Sequence, residues 1–341
     1  MFFVQTNTND KSTNDVLDWI FYFDRKAFIL RLNNEVAIKS FSYTISNKNK
    51  EEFLLQSVND EIITDSYRQF WYRRGRFTFS APQFTTQKLP IALCQKINNN
   101  LNKEQEYIHN VLNGLLSDNT KKTINTFQQN FTNKIKNLKF AVESGLQVPD
   151  SLVTNNFSRL LHFSSQYKSI ITKDIEMDEI KISYDLNYKF IIGARVQMLT
   201  HQDILETKEK YQKELTTRYA FYQQYIEKKY ELRIFYLKGK FYTMAIFSQA
   251  NEKTKIDFRN YDMERPNRCI PYQLPKEIED KLDLFMQSID MNCGSIDMIY
   301  TPEGEYVFLE VNPIGQFQWV SRNCNYDIER QIALDLITEK I

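Results

Sequence analysis

The sequence predicts a mixed α/β (α+β) protein, with a strand-and-helix opening and antiparallel hairpins near its end; three observations predict it. Phe2 to Thr6 reads as a short strand, and Ser12-Thr13 before Asp15-Val16-Leu17-Asp18-Trp19-Ile20 reads as a capped amphipathic helix. Glu231 to Leu237 and Phe241 to Phe247 flank Lys238-Gly239-Lys240, while two apolar runs, Gly294 to Tyr300 and Val307 to Pro313, flank Pro302-Glu303-Gly304-Glu305. Turn residues between alternating runs predict hairpins. At 341 residues the chain is also long for one core, which predicts more than one lobe.

The other elements follow in order. Ala27 to Leu32 and Val36 to Tyr43 are strand candidates with a turn at Asn33-Asn34. Within Asp65 to Ser80, Trp71-Tyr72-Arg73-Arg74-Gly75-Arg76-Phe77 interleaves aromatics with three arginines. It reads either as a contact surface for an acidic or extended partner or as a surface turn with its aromatics packed inward. Pro82 to Pro90 punctuates the chain, and Leu93, Ile97, Leu101, Ile108, Val111 and Leu115 carry a helical period through Ile91 to Leu116. Ser117 to Asn133 is polar and reads as a boundary or exposed helix. A helix from Ile135 stops at Gly145, and Val148-Pro149 leads into a strand over Ser151 to Thr154. Lys168 to Lys173, Phe190 to Thr200 and Phe221 to Ile226 are strand-like, Asp203 to Thr217 reads as a charged amphipathic helix, and Tyr326 to Ile341 as a closing one.

Composition excludes several classes. The formal charge is +1, so no global field draws the chain to nucleic acid or to an anionic membrane. Cys94, Cys269, Cys293 and Cys324 form no Cys-x-x-Cys pair, and His109, His162 and His201 show no ligand spacing, which argues against zinc or a disulfide framework and fits a reducing cytosol. The N-terminus turns polar at Gln5, too soon for a signal segment, and no run approaches a membrane span, so a cytoplasmic location is expected. Gly-x-x-x-x-Gly-Lys, Gly-x-Gly-x-x-Gly and Gly-x-Ser-x-Gly are all missing, which leaves metal-assisted phosphoryl chemistry as the best-supported reaction type.

The later hairpin carries that chemistry. Side chains alternate along a strand, so Glu310 and Asn312 share a face, and pairing Tyr300 with Val307 sets Asp297 across from Glu310. A single strand-borne acid is usually solvated. Two facing acids with an amide oxygen beside them repel each other, and a hard cation such as Mg²⁺ relieves that repulsion. Upstream, Lys134 opens a helix and Lys173 ends a strand. Each alone would be a surface charge, but both can reach a cleft that holds a phosphate tail.

The order of these pieces resembles the ATP-grasp superfamily from about Lys134 to the C-terminus. Asn133-Lys134 with Ala141, Gly145 and Val148-Pro149 resembles its first lysine motif, and Ile170-Ile171-Thr172-Lys173 its second. Gln224-Tyr225-Ile226 is similar to the hinge that borders adenine, with Gln224 where the family often has Glu. Glu231-Leu232-Arg233 is similar to the Asp/Glu-x-Arg step of the glutamate ligases that modify ribosomal proteins, which implies ribose contact by Glu231 and phosphate or acyl-phosphate contact by Arg233. Arg259, in Asp257-Phe258-Arg259-Asn260, resembles the arginine that meets the γ-phosphate. Asp297, Glu310 and Asn312 match the metal triad.

Over nearly the full length, Ser12-Thr13-Asn14-Asp15-Val16, Arg31-Leu32-Asn33, Trp71-Tyr72-Arg73-Arg74 and Leu309-Glu310-Val311-Asn312-Pro313 with Gly315-Gln316-Phe317 resemble the ATP-grasp maturases of graspetides, the microviridin-type peptides, and most of all the grasp-with-spasm branch. The resemblance implies ATP and Mg²⁺ as cofactors and a pre-ATP-grasp domain (1–120), a central subdomain (121–220) and a C-terminal antiparallel subdomain (221–341). It also implies a ribosomal precursor peptide with leader and core, a SPASM-domain radical enzyme in the pathway, and a homodimer. The implied activity is phosphorylation of Asp or Glu side chains and closure of ester or amide rings. Arg73, Arg74 and Arg76 are the candidates for leader contact. Addition of an amino acid to a protein tail and a non-catalytic nucleotide-gated peptide binder are the alternatives.

Overall fold

Four parallel strands open the structure, because Phe2–Thr6 lies between Ile29–Asn33 and Gln69–Tyr72, with Lys122–Ile124 beyond the latter. The apolar run at the N-terminus follows from that inner position: Phe2 and Val4 pack on one face of the sheet and Phe3 on the other. The computed structural model describes residues 2–33, 38–47, 52–57, 62–63, 69–77, 83–118, 122–173, 180–183, 189–192, 196–211, 216–260 and 262–338.

Ala27 to Leu32 and Val36 to Tyr43 do not form the expected hairpin. The first overlaps Ile29–Asn33 of the parallel sheet, while Ile38–Thr44 pairs with Glu52–Ser57 in a separate sheet. Most of the link between them, including Asn34, lies outside the described residues. Trp71 and Tyr72 are buried in an inner strand rather than on a surface turn. The helix Ile91–Asp118 forms as its period predicts.

A second sheet, antiparallel, orders Gln197–Leu199, Ile170–Lys173, Thr216–Gln224 and Ser151–Asn156. The helix expected over Asp203 to Thr217 ends at Tyr211, and a strand already runs from Thr216, where β-branched Thr216 and Thr217 favour it. Phe190 to Thr200 divides between two sheets, with residues 193–195 outside the described set.

The third sheet positions the site. Its order is Arg268–Tyr272, Lys240–Phe247, Tyr230–Leu237, Cys293–Tyr300 and Tyr306–Asn312, all antiparallel. Lys238 and Gly239 both have positive φ, 45° and 83°, as a two-residue turn matched to strand twist requires. One face is covered by the helices Lys134–Glu143 and Lys276–Ser288, through Leu138, Ala141, Leu282, Phe285 and Met286. Sequence reading passed over the second of these, although Glu277 and Glu279 open it and Ile278, Leu282, Phe285 and Met286 mark its apolar side. The other face packs partly on Val16 and Ile20 of the helix Lys11–Phe23, on Ile328–Ile337, which is the closing helix expected from Tyr326, and on Gln318–Cys324, a helix not foreseen. The remainder of that face is open.

Candidate functional site

Three neighbouring strands carry one charge each along a single register line. Arg233 is the partner of Asp297, and Asp297 is the partner of Glu310. This alignment depends on a β-bulge. Tyr300 pairs with Tyr306 rather than with Val307, so the expected register fails at the hairpin end and is regained by a shift between Met298 and Asp297 that leaves Leu309 as the extra residue. Phe308 and Val311 both stay in the core, and consecutive Leu309 and Glu310 line the open cleft instead. Without the bulge, alternation would put Glu310 on the same face as Phe308.

Each cation arrives on a separate element. Asn133 caps the helix Lys134–Glu143 by accepting from the amides of Ile135 (3.1 Å) and Lys136 (3.0 Å), which fixes Lys134 at the first helical position. At the other end Gly145 turns with φ +79°, Leu146 donates to the Ala141 carbonyl, and Phe308 donates to the Gln147 carbonyl, so the helix is tied to the site's edge strand. Lys173 ends its strand with its ammonium 5.8 Å from the Phe221 ring centroid. Arg259 lies in the loop after Ala250 and is held by Asp257, Nε to Oδ1 at 2.9 Å.

Asp297 and Glu310 meet these cations differently. Arg233 Nη1 is 2.7 Å from both oxygens of Asp297, while its buried Nε donates to nothing among the described residues. Glu310 has Lys134 Nζ at 3.6 Å, Lys173 Nζ at 3.8 Å and Arg259 Nη1 at 3.8 Å, each longer than a hydrogen bond. Burial pushes the Glu310 carboxyl up, but Lys173, Lys134 and Arg259 outweigh it and hold the group below its usual range. For Asp297, burial and the Glu310 charge prevail over Arg233, and the carboxyl is raised. Burial lowers the Lys173 ammonium despite Glu310 beside it. At Arg259 burial is overridden by Asp257 and Glu310, and the guanidinium is raised.

Gln224, Tyr225 and Ile226 line the far side of the cleft. The amides of Gln224 and Tyr225 donate to the carbonyls of Asp150 (2.8 Å) and Ser169 (3.2 Å), which fixes this segment against the second sheet. Glu231, buried on the cleft wall, receives Lys228 Nζ (2.5 Å) and Ser248 Oγ (2.5 Å). Burial raises its carboxyl, and Lys228 offsets this in part.

No family model matches the chain, and no curated protein matches it in sequence. Solved structures do match the whole fold. A Chryseobacterium gregarium RiPP-associated ATP-grasp ligase, in complex with ADP and a leader and core peptide, is similar with a TM-score of 0.76 and 23% identity over 98% of this chain and 96% of that one. The chain has the ATP-grasp fold. The macrocyclase MdnC from Microcystis aeruginosa MRC, bound with precursor peptide MdnA, gives a TM-score of 0.72 at 22% identity over 99% of each chain. The ATP-grasp ligase PsnB, complexed with minimal precursor, Mg and ADP, gives 0.68 at 14% identity over 98% of this chain and 97% of that one.

Within this fold Lys173, Gln224, Tyr225, Ile226, Glu231, Arg259, Asp297 and Glu310 line one cleft. Lys134 borders an adjoining hollow that shares Lys173, Leu309 and Glu310. Asn312 stands apart: it follows Glu310 on the same face but is paired with Ser295 and does not line the cleft. Among the described residues no group of three or more Cys, His, Asp or Glu gathers for a metal. The candidate donors in the cleft are therefore two opposed carboxylates, Asp297 and Glu310, hard oxygens that suit Mg²⁺ completed by phosphate oxygens. The gap between Glu310 and its cations, with the undonated Arg233 Nε, fits such an occupant. Sequence reading missed Lys228, Ser248 and the anchoring role of Asp257. Only Lys228, three residues before Glu231, offered a local signal.

Two other expectations meet the structure here. Arg73 does not present itself to a leader: its guanidinium is buried against Asp10 and the carbonyls of Ile314 and Gly315. The four cysteines are free thiols, and among the described residues no helix is long and apolar enough to cross a membrane.

Proposed function

We propose that the chain is an ATP- and Mg²⁺-dependent ligase that joins side chains within a ribosomal precursor peptide. The observation that carries this reading is the line of Arg233, Asp297 and Glu310, ringed by Lys134, Lys173 and Arg259 at one end of a cleft bordered by Gln224–Ile226. The similar ligases that bind ADP, Mg and precursor peptides support it. Asp297, Glu310 and Asn312 would hold Mg²⁺, which supplies charge neutralisation to phosphate oxygens. Gln224, Tyr225 and Ile226 would border the adenine, with Glu231 towards the ribose and Lys134 and Lys173 towards the phosphates.

In the reaction proposed, an Asp or Glu carboxylate of the peptide takes the γ-phosphoryl group and ADP leaves. A Thr or Ser hydroxyl or a Lys amine of the same peptide then attacks the acyl carbon, phosphate departs, and an ester or amide ring closes. Arg233 and Arg259 stabilise the transferred group electrostatically, and the buried setting of the line strengthens those contacts. The carboxylate side chains that surround the cations keep them in place before any ligand enters, so little reorganisation accompanies transfer.

Glu310→Gln keeps the shape and removes the charge, and it is expected to abolish peptide-dependent ADP release. Unchanged turnover would sink the metal assignment. Mass spectrometry separates the main rival, because ring closure removes water from the peptide whereas amino-acid ligation adds a residue. A short neighbouring reading frame rich in Thr, Ser, Asp and Glu is the first peptide to assay. The cytoplasmic location, the SPASM-domain partner and the homodimer belong to the same reading, and co-purification and sedimentation test the last two.

A further inference from the structure

A second cavity opens where the loop after Phe2–Thr6 and Arg73-Arg74 meet the chain that follows the site's edge strand. Its lining holds four cationic side chains, Lys11, Arg73, Arg74 and Arg322, the last paired with Asp15 outside the lining at 3.3 Å, and one carboxylate, that of Asp10. That carboxylate is already committed: it lies 3.3 Å from Arg73 Nε and within hydrogen-bond reach of Ser12 and Thr6. Arg74 is therefore left with a contact of 3.9 Å to Asp10, too long for a hydrogen bond, and its buried Nε donates to nothing among the described residues. The other arginine of this segment is spent elsewhere, since Arg76 pairs with Glu106 at 2.6 Å. The wall of the cavity is aromatic: Trp319 lines it and stacks on Phe258, ring centroids 6.0 Å apart. Phe258 in turn lines the nucleotide cleft beside Arg259. The two hollows thus share one aromatic partition.

We propose that this cavity is a subsite for an acidic side chain of the peptide substrate, read by Arg74. The identity of the occupant as a peptide rests on the ligase reading above; the charge and geometry of the cavity do not. The Arg74 side chain is 33% exposed and hydrogen-bonds no carboxylate among the described residues, so the outer nitrogens of its planar guanidinium are available to a ligand carboxylate. Placement behind the Phe258–Trp319 partition assigns the acidic residue to the stretch of peptide next to the reacting groups rather than to a distant leader.

The test uses the full chain and N-acetylated, C-amidated hexaglutamate, followed by tryptophan fluorescence, with Trp319→Phe identifying the local signal. Hexaglutamate is expected to bind saturably, and hexaglutamine is not. Arg74→Gln should weaken hexaglutamate by about tenfold, the size of one charge-assisted hydrogen bond, and Arg74→Lys by less, since it keeps the charge and loses the fork. Arg76→Gln should leave binding as in the wild type. Equal binding of hexaglutamine, or wild-type affinity in both Arg74 variants, overturns the proposal. Displacement by inorganic phosphate as effectively as by hexaglutamate overturns it in favour of a free-anion site. Should Arg74→Gln not fold, the Arg74→Lys comparison and the hexaglutamine control still decide. Failure of the ligase reading would show separately, as a wild-type chain that releases no ADP with any peptide.

Discussion

Arg73→Met offers a sharp test of how the parallel N-terminal sheet is fastened to the site. The Arg73 side chain is 5% exposed and its partner Asp10 is 7% exposed, so the pair is buried. The guanidinium also donates to Ser12 Oγ, to the carbonyl of Ile314 and to that of Gly315 at 3.2 Å, and it lies 5.1 Å from the Phe317 ring centroid. Methionine of similar length fills the space and leaves the Asp10 charge and two carbonyls without their donor. Breaking a buried pair by removing one partner costs about 3–5 kcal/mol. The carbonyls and the carboxylate belong to one network, so their losses do not add in full, and about 4 kcal/mol is expected. Asp10→Asn in the same background removes the stranded charge and should recover about 1–2 kcal/mol of that loss. Urea unfolding followed by tryptophan fluorescence measures all four members of the cycle at pH 7. A single variant within about 1 kcal/mol of wild type, or a double variant that is strictly additive, refutes the account of a buried ion pair as the fastening.

Three further outcomes are expected. Gly315→Ala should destabilise by about 1–3 kcal/mol, because an added Cβ would approach the Ser295 amide nitrogen to 2.6 Å and its Cβ to 2.7 Å; a thermal midpoint unchanged from wild type would contradict it, and Ser295→Ala should give little relief because both atoms remain. Asp10→Asn tests the pH dependence of the fastening. Burial raises the Asp10 carboxyl, but Arg73, Ser12 and Thr6 bring it below its ordinary value. A depressed carboxyl stabilises the fold fully above its unfolded value, about 3.9, and loses that contribution as pH falls through the folded value. The stability gap between wild type and Asp10→Asn should therefore be constant from pH 7 down to about 4 and narrow below it; a gap that widens in acid would refute the sign. On the proposed reading, Lys173→Met should weaken ADP binding in the presence of Mg²⁺ by about tenfold by calorimetry, and an unchanged affinity would remove Lys173 from the phosphate site.

What was legible in the sequence was local. The hairpin at Lys238-Gly239 announces itself because a glycine-containing turn stands between two strand-like runs, and the helix from Lys134 does so because Asn133 and Gly145 stand at its ends. Asp297 and Glu310 were expected to face each other from a Tyr300–Val307 register that fails at the hairpin end, and the bulge restores that pairing. The bulge at Leu309 was not legible, because one extra residue in a continuous apolar run leaves no trace in its pattern. Parallel pairing of Phe2–Thr6 with Gln69–Tyr72 was equally hidden, since strands buried on both faces lose the alternation that marks a hairpin. Arg73 shows the same limit for a side chain: its partners Asp10, Ile314 and Gly315 are remote in sequence, so the cluster Arg73-Arg74-Gly75-Arg76 reads as one basic surface when its members have three separate surroundings.

Charge balance explains why the line of Arg233, Asp297 and Glu310 is better suited to a ligand than to stability. Lys134, Lys173, Arg233 and Arg259 face the carboxylates of Asp297, Glu310 and Asp257, so the site holds one more cation than anion. Charges gathered round the buried Asp297 and Glu310 rarely stabilise a fold, because desolvation of the carboxylates offsets most of the attraction. Neither is the set closed on itself. Glu310 keeps three cations beyond hydrogen-bond distance, and Arg233 turns its Nη1 to Asp297 while its Nε has no acceptor among the described residues. A triphosphate alone would set its negative charge against two carboxylates, and a divalent ion alone would meet four positive side chains. On the proposed reading only the two together would satisfy both halves of the site, so metal affinity is expected to be low until the nucleotide is present and nucleotide affinity low until the metal is.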